Sequence, residues 1–235
     1  MIQIKILDLQ EKRLLNSLGK IEFWIDRKRS LGSGSIVEVK SNKLIIATAA
    51  HCIYDWKSKK FYEKVFFLPY VDNFKIKLTP IKAIVPRLWT EQAIVDYDTG
   101  FLVINLNDPN LDYRNFAIPV KFNLPRCLNY LVMGFQNKII PSKKPLICKN
   151  KAHPDTYNNS TLQGISSKGK SGMSGGPWIT YYEGEYVQNS VSALTFRSIK
   201  NKLWGPYWGE EIEAAYLVAS IDRLEDYNVV THQYT

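Results

Sequence analysis

The sequence has few of the residues that mark several common protein classes. Only three of its 235 residues are cysteine and three are histidine. An odd number of cysteines does not suit a disulfide scaffold. Cys127 and Cys148 could face each other across a hairpin, but nothing requires a bond, so the pattern favours a reducing compartment. No apolar run approaches the ~20 residues of a membrane span, and the charged first 13 residues do not resemble a secretory signal. We therefore expect a cytoplasmic protein with no membrane partner.

Acidic residues are the scarcer charged class. Lysine and arginine number 31 against 22 aspartates and glutamates, which gives a formal charge of +9. The excess lies in scattered clusters at 27–29, 57–60 and 149–151, which are typical of solvated faces. They would also favour acidic partners through long-range attraction. No recognisable nucleic-acid module accompanies them, so we do not expect a nucleic-acid partner.

Short apolar runs separated by turn residues predict a mostly β protein. A single helix is expected over 8–18, with Asp8 and Glu11 as a capping box and Gly19 as its stop. A terminal helix is expected over 220–226. Periodicity alone indicates a sandwich or barrel, and the predicted strands are 20–26, 34–40, 43–49, 63–69, 74–85, 100–106, 128–135, 145–149, 177–182, 186–196 and 213–219.

Three separated segments carry the residues needed for catalysis by a hydroxyl nucleophile: the nucleophile, a base and an acid. Gly-Met-Ser-Gly-Gly-Pro at 172–177 offers Ser174 on a tight glycine turn, whose N–H groups at Gly172 and Ser174 would form an oxyanion hole. His51 ends an apolar run and would accept the serine proton. Asp98, before another apolar run, would hold the histidine in the required tautomer. The pattern indicates nucleophilic catalysis with no metal or other cofactor.

Each of these residues has competitors. Asp96 lies on the same face of an extended segment as Asp98, but only Asp98 is followed by a small residue and an apolar strand. Ser171 also stands in a G-x-S-G, without the Gly-Gly-Pro that follows Ser174. Residues 164–171 match the phosphate-loop pattern G-x-x-x-x-G-K-[ST], yet they lack the preceding buried strand and the following helix that phosphate binding needs.

His51 in Thr-Ala-Ala-His-Cys, then Asp98, then Ser174 in Gly-x-Ser-Gly-Gly-Pro, in that chain order, resembles the chymotrypsin-like (trypsin-like) serine peptidases. The resemblance covers about residues 19–222. It implies two six-stranded antiparallel β-barrels with the site between them and a short C-terminal helix. The divisions would be a helical extension at 1–19, a first barrel at 20–110, and a second barrel with the helix at 118–235.

The implied activity is a serine endopeptidase that forms an acyl-enzyme on Ser174 from a polypeptide substrate. The alternative is a catalytically silent binding or scaffold protein on the same fold. Secreted relatives usually carry a partner for Cys52 in the preceding strand, and this chain has none there. Met173 stands where secreted zymogens place an aspartate for an activating ion pair. Control of the peptidase activity would then come from expression, a regulatory protein partner, or a cleft ordered by substrate.

The family's layout also implies substrate-binding residues. Lys168 stands at the base of the specificity pocket, where trypsin has an acid, so a preference for Lys or Arg is not expected. Thr195 stands where a serine usually bonds the catalytic acid, and Thr195, Phe196 and Arg197 belong to the strand that pairs with substrate. Lys168 with Arg197 would suit an acidic side chain before the scissile bond. Small or apolar side chains remain an alternative, because members that cut after glutamate usually have histidine where Leu194 stands.

Overall fold

The structure is a computed structural model that describes residues 8–40, 42–106, 112–137, 143–156, 160–167, 169–221 and 228–235. These residues are mostly β-strand with three α-helices, Leu9–Leu14 (α1), Arg87–Gln92 (α2) and Glu210–Ser220 (α3). The strands are Leu18–Ile25 (β1), Lys28–Lys40 (β2), Lys43–Thr48 (β3), Tyr54–Asp55 (β4), Lys60–Phe61 (β5), Val65–Pro69 (β6), Lys82–Pro86 (β7), Gly100–Asn105 (β8), Asn129–Gly134 (β9), Leu146–Lys151 (β10), His153–Pro154 (β11), Gln163–Ser166 (β12), Pro177–Tyr182 (β13), Glu185–Val191 (β14), Lys202–Gly205 (β15) and Val229–Gln233 (β16).

The largest sheet has seven strands in the order β16-β7-β8-β3-β2-β1-β6. Strand β3 lies near its middle and is buried on both faces. Leu44 and Ile46 pack into one apolar core, while Ile45 and Ala47 pack into another that includes the face of α3. Alternate residues of a strand point to opposite faces, so a continuous apolar run is what a strand between two cores requires.

The other sheets are smaller. They comprise a four-stranded sheet β10-β9-β13-β14, a three-stranded sheet β11-β12-β15 and the β4-β5 pair. The all-β class is therefore confirmed, whereas these pairings do not confirm two closed six-stranded barrels. The domain limits also stay a prediction. Strand β16 pairs with β7, so the C-terminal strand completes the sheet that holds most of the N-terminal half.

The N-terminal helix begins as predicted and ends early. Asp8 caps α1, and the reciprocal bonds of the Asp8–Glu11 capping box are both present. Helix α1 ends at Leu14, a 3-10 turn follows over Leu15–Ser17, and β1 begins at Leu18. The prediction that Gly19 stops the helix is wrong, because Leu14 and Leu15 turn inward to pack on the apolar cluster around Leu131.

The predicted strand at 213–219 is wrong, because these residues belong to α3. Glu210, Glu211 and Glu213 lie in its first turn, where the positive end of the helix dipole favours acidic side chains. The buried residues follow a helical spacing and are Ile212, Ala215, Val218 and Ala219. The terminal helix predicted over 220–226 falls almost entirely outside the described residues, with Ser220 ending α3.

Other differences concern strand limits. Strand β7 starts at Lys82 rather than 74, and Leu78 makes only an isolated bridge to Phe67. Strands β12, β15 and β16 were not predicted. The phosphate-loop match is not supported, because its first residues form β12 and turns, rather than a helix, occupy 169–176. No helix among the described residues is both long and apolar enough to cross a membrane.

Candidate active site

Two neighbouring strands bring His51 and Asp98 together. Strands β3 and β8 pair antiparallel with Thr48 opposite Gly100, so the end of β3 adjoins the start of β8. His51 follows β3 in the 3-10 turn Ala50–Cys52, whose first and last residues are buried. The two buried residues fix the turn on the core. His51 therefore lies at the edge of the core, next to Asp98 and Thr99, which precede β8.

The Asp98 carboxylate contacts His51 at two atoms. One carboxylate oxygen accepts a bond of 3.0 Å from the backbone N–H of His51, and the other lies 2.7 Å from Nδ1 of the ring. Asp98 is 2 % exposed, and the His51 side chain is 35 % exposed. If Nδ1 carries the proton that Asp98 accepts, Nε2 is left as a proton acceptor.

The Asp98 carboxylate also changes the pKa of His51. Burial lowers the pKa of His51, but the attraction and hydrogen bond of Asp98, with a smaller contribution from Cys52, outweigh it. The net result is a pKa raised well above the ordinary histidine value. The enclosed carboxylate lies 2.7 Å from the ring, and an opposite charge at that distance favours the protonated imidazole.

The competitor Asp96 makes different contacts. Its carboxylate accepts bonds of 2.6 Å from both the backbone N–H and the hydroxyl of Thr161. It therefore joins the segment before β8 to the loop before β12. Of the two carboxylates, the structure places that of Asp98 against His51.

The loop carrying Ser174 is docked beside the residue that follows His51. The carbonyl of Ser174 accepts a bond of 2.7 Å from the N–H of Ser33 on β2, and the Cys52 thiol lies 3.8 Å from the same carbonyl. Gly172 and Gly175 have φ of +94° and +81°, a region that favours glycine. A side chain at Gly175 would collide with the Ser33 carbonyl and the Thr48 hydroxyl. The turn therefore needs glycine there.

The N–H groups of this loop divide into bonded and free. Those of Met173, Gly175 and Gly176 donate to the carbonyls of Lys170, Ser192 and Met173 at 3.0, 2.7 and 2.9 Å. Those of Gly172 and Ser174 donate to no acceptor within the described part of the chain. Ser33 holds the loop from behind, since its hydroxyl donates to the Gly172 carbonyl at 2.8 Å. The two predicted oxyanion donors are thus available.

The Ser174 hydroxyl itself makes no hydrogen bond to His51 among the described residues. Such contacts are often loose without substrate, and a serine hydroxyl rotates freely. Ser171 is exposed, and its carbonyl accepts from the N–H of Asn137 at 2.7 Å. Within the described residues, no three histidine, cysteine or acidic side chains are grouped to hold a metal ion.

Neither a family model nor a curated protein matches this sequence, but solved structures do. The protease Anisep from Arthrobacter nicotinovorans is 28 % identical with a TM-score of 0.76, and the match covers 87 % of this chain and 95 % of that one. The thermostable serine protease AL20 from an extremophilic microorganism is 24 % identical, with a TM-score of 0.77 over 88 % and 98 %. A Glu endopeptidase is 16 % identical, with a TM-score of 0.66 over 92 % and 96 %.

This chain resembles the chymotrypsin-like serine peptidases. The likeness extends over most of the chain and nearly the full length of these neighbours. The predicted substrate-binding residues can therefore be located within a peptidase fold.

Three of the predicted substrate-binding residues, Thr195, Phe196 and Arg197, lie in the segment between β14 and β15. Leu194 pairs with Trp204, and Thr195 and Arg197 are exposed while Phe196 is half-buried. Lys168 lies outside the described residues. Thr195 forms no bond to Asp98 in the part of the chain described, since the recorded bonds of that carboxylate go to His51. The substrate roles of these residues stay predictions.

Two supporting residues of this peptidase fold were missed by sequence reasoning. Ser33 anchors the Ser174 loop, and its Gly-Ser-Gly context on a strand carries no distinctive signal. Trp208 is 1 % exposed, and its indole N–H donates at 3.0 Å to the hydroxyl of Thr99, the neighbour of Asp98. The two residues of that bond are 109 apart in sequence, so only the folded chain reveals the contact.

Proposed function

We propose that the protein is a serine endopeptidase that hydrolyses peptide bonds through an acyl-enzyme on Ser174. The observation that carries the proposal is the enclosed Asp98 carboxylate, bonded to the backbone N–H and to ring Nδ1 of His51, beside a glycine turn that presents Ser174. A scaffold protein would need neither a buried carboxylate at 2.7 Å from a histidine nor a glycine turn in which the N–H groups of Gly172 and Ser174 have no acceptor among the described residues.

The chemistry follows from the proton positions. Nε2 of His51 takes the Ser174 proton while Oγ attacks the scissile carbonyl carbon, and the N–H groups of Gly172 and Ser174 stabilise the resulting oxyanion. His51 then gives its proton to the departing amine as the C–N bond breaks. Water, deprotonated by His51, attacks the acyl carbonyl, and as the ester C–O bond breaks His51 gives that proton to Ser174 Oγ. Asp98 stabilises the imidazolium that forms in both halves, and no cofactor is required.

We extend the proposal to architecture and setting. His51 and Asp98 come from the seven-stranded sheet and Ser174 leads into β13 of the four-stranded sheet, which supports a site between two barrels. Cys52 and Cys127 form no disulfide among the described residues, and the proposal includes a reducing, cytoplasmic setting. Met173 is 2 % exposed and cannot accept an ammonium ion pair, which supports restraint by a protein partner or by substrate.

The test is covalent labelling of purified protein with a fluorophosphonate. We expect one adduct by intact mass, mapped to Ser174, because only a serine beside a base attacks phosphorus rapidly. Ser174→Ala should abolish the adduct and lower turnover by on the order of 10⁶. Ser171→Ala is the matched control and should label normally. An adduct on Ser171, or none on the wild type at a pH above the pKa of His51, would overturn the proposal in favour of another nucleophile or a silent scaffold.

A further inference from the structure

Four cations surround a small cavity beside the Ser174 loop. The cavity measures about 330 Å³ and is lined by Lys170, Arg197, Lys200 and Lys202, together with Gly169 and Thr195. We call it the basic cleft. Its size falls at the lower end of ligand pockets, which suits one side chain rather than a large molecule.

The basic cleft is part of the sheet framework. One wall is formed by Ser167, Gly169 and Lys170, which follow β12, and the other by the segment from Thr195 to Lys202. The walls are joined at the bottom, because Ser166 pairs with Lys202 and the N–H of Ser167 donates to the Asn201 carbonyl at 3.0 Å. The cations thus project from two connected walls into one space.

The walls of the basic cleft contain no acid. The chain has no aspartate or glutamate between Asp155 and Glu183, and none between Glu185 and Glu210. No ion pair involves any of the four cations within the described residues. Like charges gathered without a counter-charge repel each other, and an anion that enters the cleft relieves this repulsion.

The basic cleft adjoins the proposed nucleophile. The Lys170 carbonyl accepts from the N–H of Met173 at 3.0 Å, and the other wall continues from Ser192, whose carbonyl accepts from the N–H of Gly175 at 2.7 Å. Both walls are therefore bonded to the residues that flank Ser174. The cleft is thereby connected through two backbone hydrogen bonds to the turn that carries Ser174.

We propose that the basic cleft binds a carboxylate side chain of a polypeptide lying across Ser174. This inference rests on the proposed peptidase function for its occupant, and it makes acidic peptides the preferred substrate class. Exposed ion pairs each change an affinity by roughly two- to five-fold, so two simultaneous contacts give on the order of 10-fold. Lys168 is not counted, since it lies outside the described residues.

The test measures binding separately from catalysis. Ser174→Ala protein is titrated, by fluorescence anisotropy at low salt, into a labelled peptide with consecutive Glu residues and into its matched Gln peptide. We expect about 10-fold tighter binding of the Glu peptide, with the difference lost in an added Arg197→Gln/Lys200→Gln pair. The control pair Lys12→Gln/Arg13→Gln removes the same charge from exposed positions on α1 and should preserve the difference.

Equal affinity for the two peptides, or a preference unchanged by the Arg197→Gln/Lys200→Gln pair, would overturn the inference. So would a single-stranded thymidine oligonucleotide that binds tighter than the Glu peptide and depends on the same two residues, because the cleft would then serve nucleic acid. Fluorophosphonate labelling of the wild type reports on the peptidase proposal alone. A wild type that fails to label while the anisotropy difference persists therefore refutes catalysis and leaves acidic-peptide binding standing.

Discussion

A cross-link between β2 and the turn that carries His51 should stabilise this protein. Cys52 is buried against Gly32, and a Cβ added at Gly32 would lie 3.5 Å from the Cβ of Cys52. Disulfides have Cβ–Cβ distances of about 3.5–4.5 Å. We therefore expect Gly32→Cys to form a disulfide with Cys52 on mild oxidation.

The magnitude follows from the length of chain that the bond would close. Residues 32 to 52 make a loop of about 20 residues, for which the chain-entropy account gives about 3 kcal/mol of stabilisation. For a chain of this size, that corresponds to a rise in Tm of roughly 6–12 °C. The bond is measured by intact mass and thiol titration, and the stability by calorimetry with and without reductant.

Two variants control for the substitution at position 32. Gly32→Cys/Cys52→Ala cannot cross-link and should show no reductant-dependent Tm. Gly32→Ala should lower Tm, because its Cβ would lie 2.6 Å from the Cys52 thiol and no bond would relieve the contact. A Gly32→Cys protein that stays reduced under oxidising conditions, or that forms the bond and melts lower, would refute the placement of the His51 turn against β2.

Four further outcomes test the site. Asp98→Asn should reduce turnover by about 10⁴ while Asp96→Asn changes it only a few-fold, and the reverse ranking in steady-state assays would move the acid two residues. Since only neutral His51 accepts a proton, kcat/KM should fall with decreasing pH through a pKa above about 6.5, and its pH profile should shift downward in Asp98→Asn. The same raised pKa makes the ion pair stabilise the fold most below about pH 6.5 and less as pH rises through that pKa. Trp208→Phe should lower kcat up to about 10-fold and shift the pH profile of kcat/KM, with KM unchanged. The control is Trp89→Phe, which should leave the pH profile in place, because the Trp89 indole N–H has no acceptor among the described residues. Equal effects of the two substitutions would assign Trp208 a merely structural role.

The nucleophile's surroundings could be predicted because their chemistry is local. The glycines of the Gly-Met-Ser-Gly-Gly-Pro turn themselves allow the positive φ angles that the turn needs. The Asp8–Glu11 capping box needs only two residues that are three apart in sequence. The apolar strand after Asp98 favours it over Asp96 as the acid, and the pairing of that strand with β3 places Asp98 beside His51. Each of these signals lies within a few residues of the feature that it predicts.

The errors arose where distant packing decides the structure. Residues 213–219 were predicted as a strand, because a short apolar run of Ala, Tyr, Leu and Val suits either a strand or a buried helix. Glu210 and Glu211, which precede this run, are the signal for the start of a helix. Strand β15 is four residues long and exists because β12 lies beside it, which no local pattern encodes.

The position of β16 has a consequence for synthesis on the ribosome. Strand β7 at 82–86 pairs with β8 on one side and with β16 at 229–233 on the other. Until residues 229–233 emerge, one edge of β7 lacks its strand partner, and unpaired edges invite association between chains. Closing so long a stretch of chain is also slow. A nascent or prematurely terminated chain that already contains His51, Asp98 and Ser174 would thus lack the strand that completes their supporting sheet.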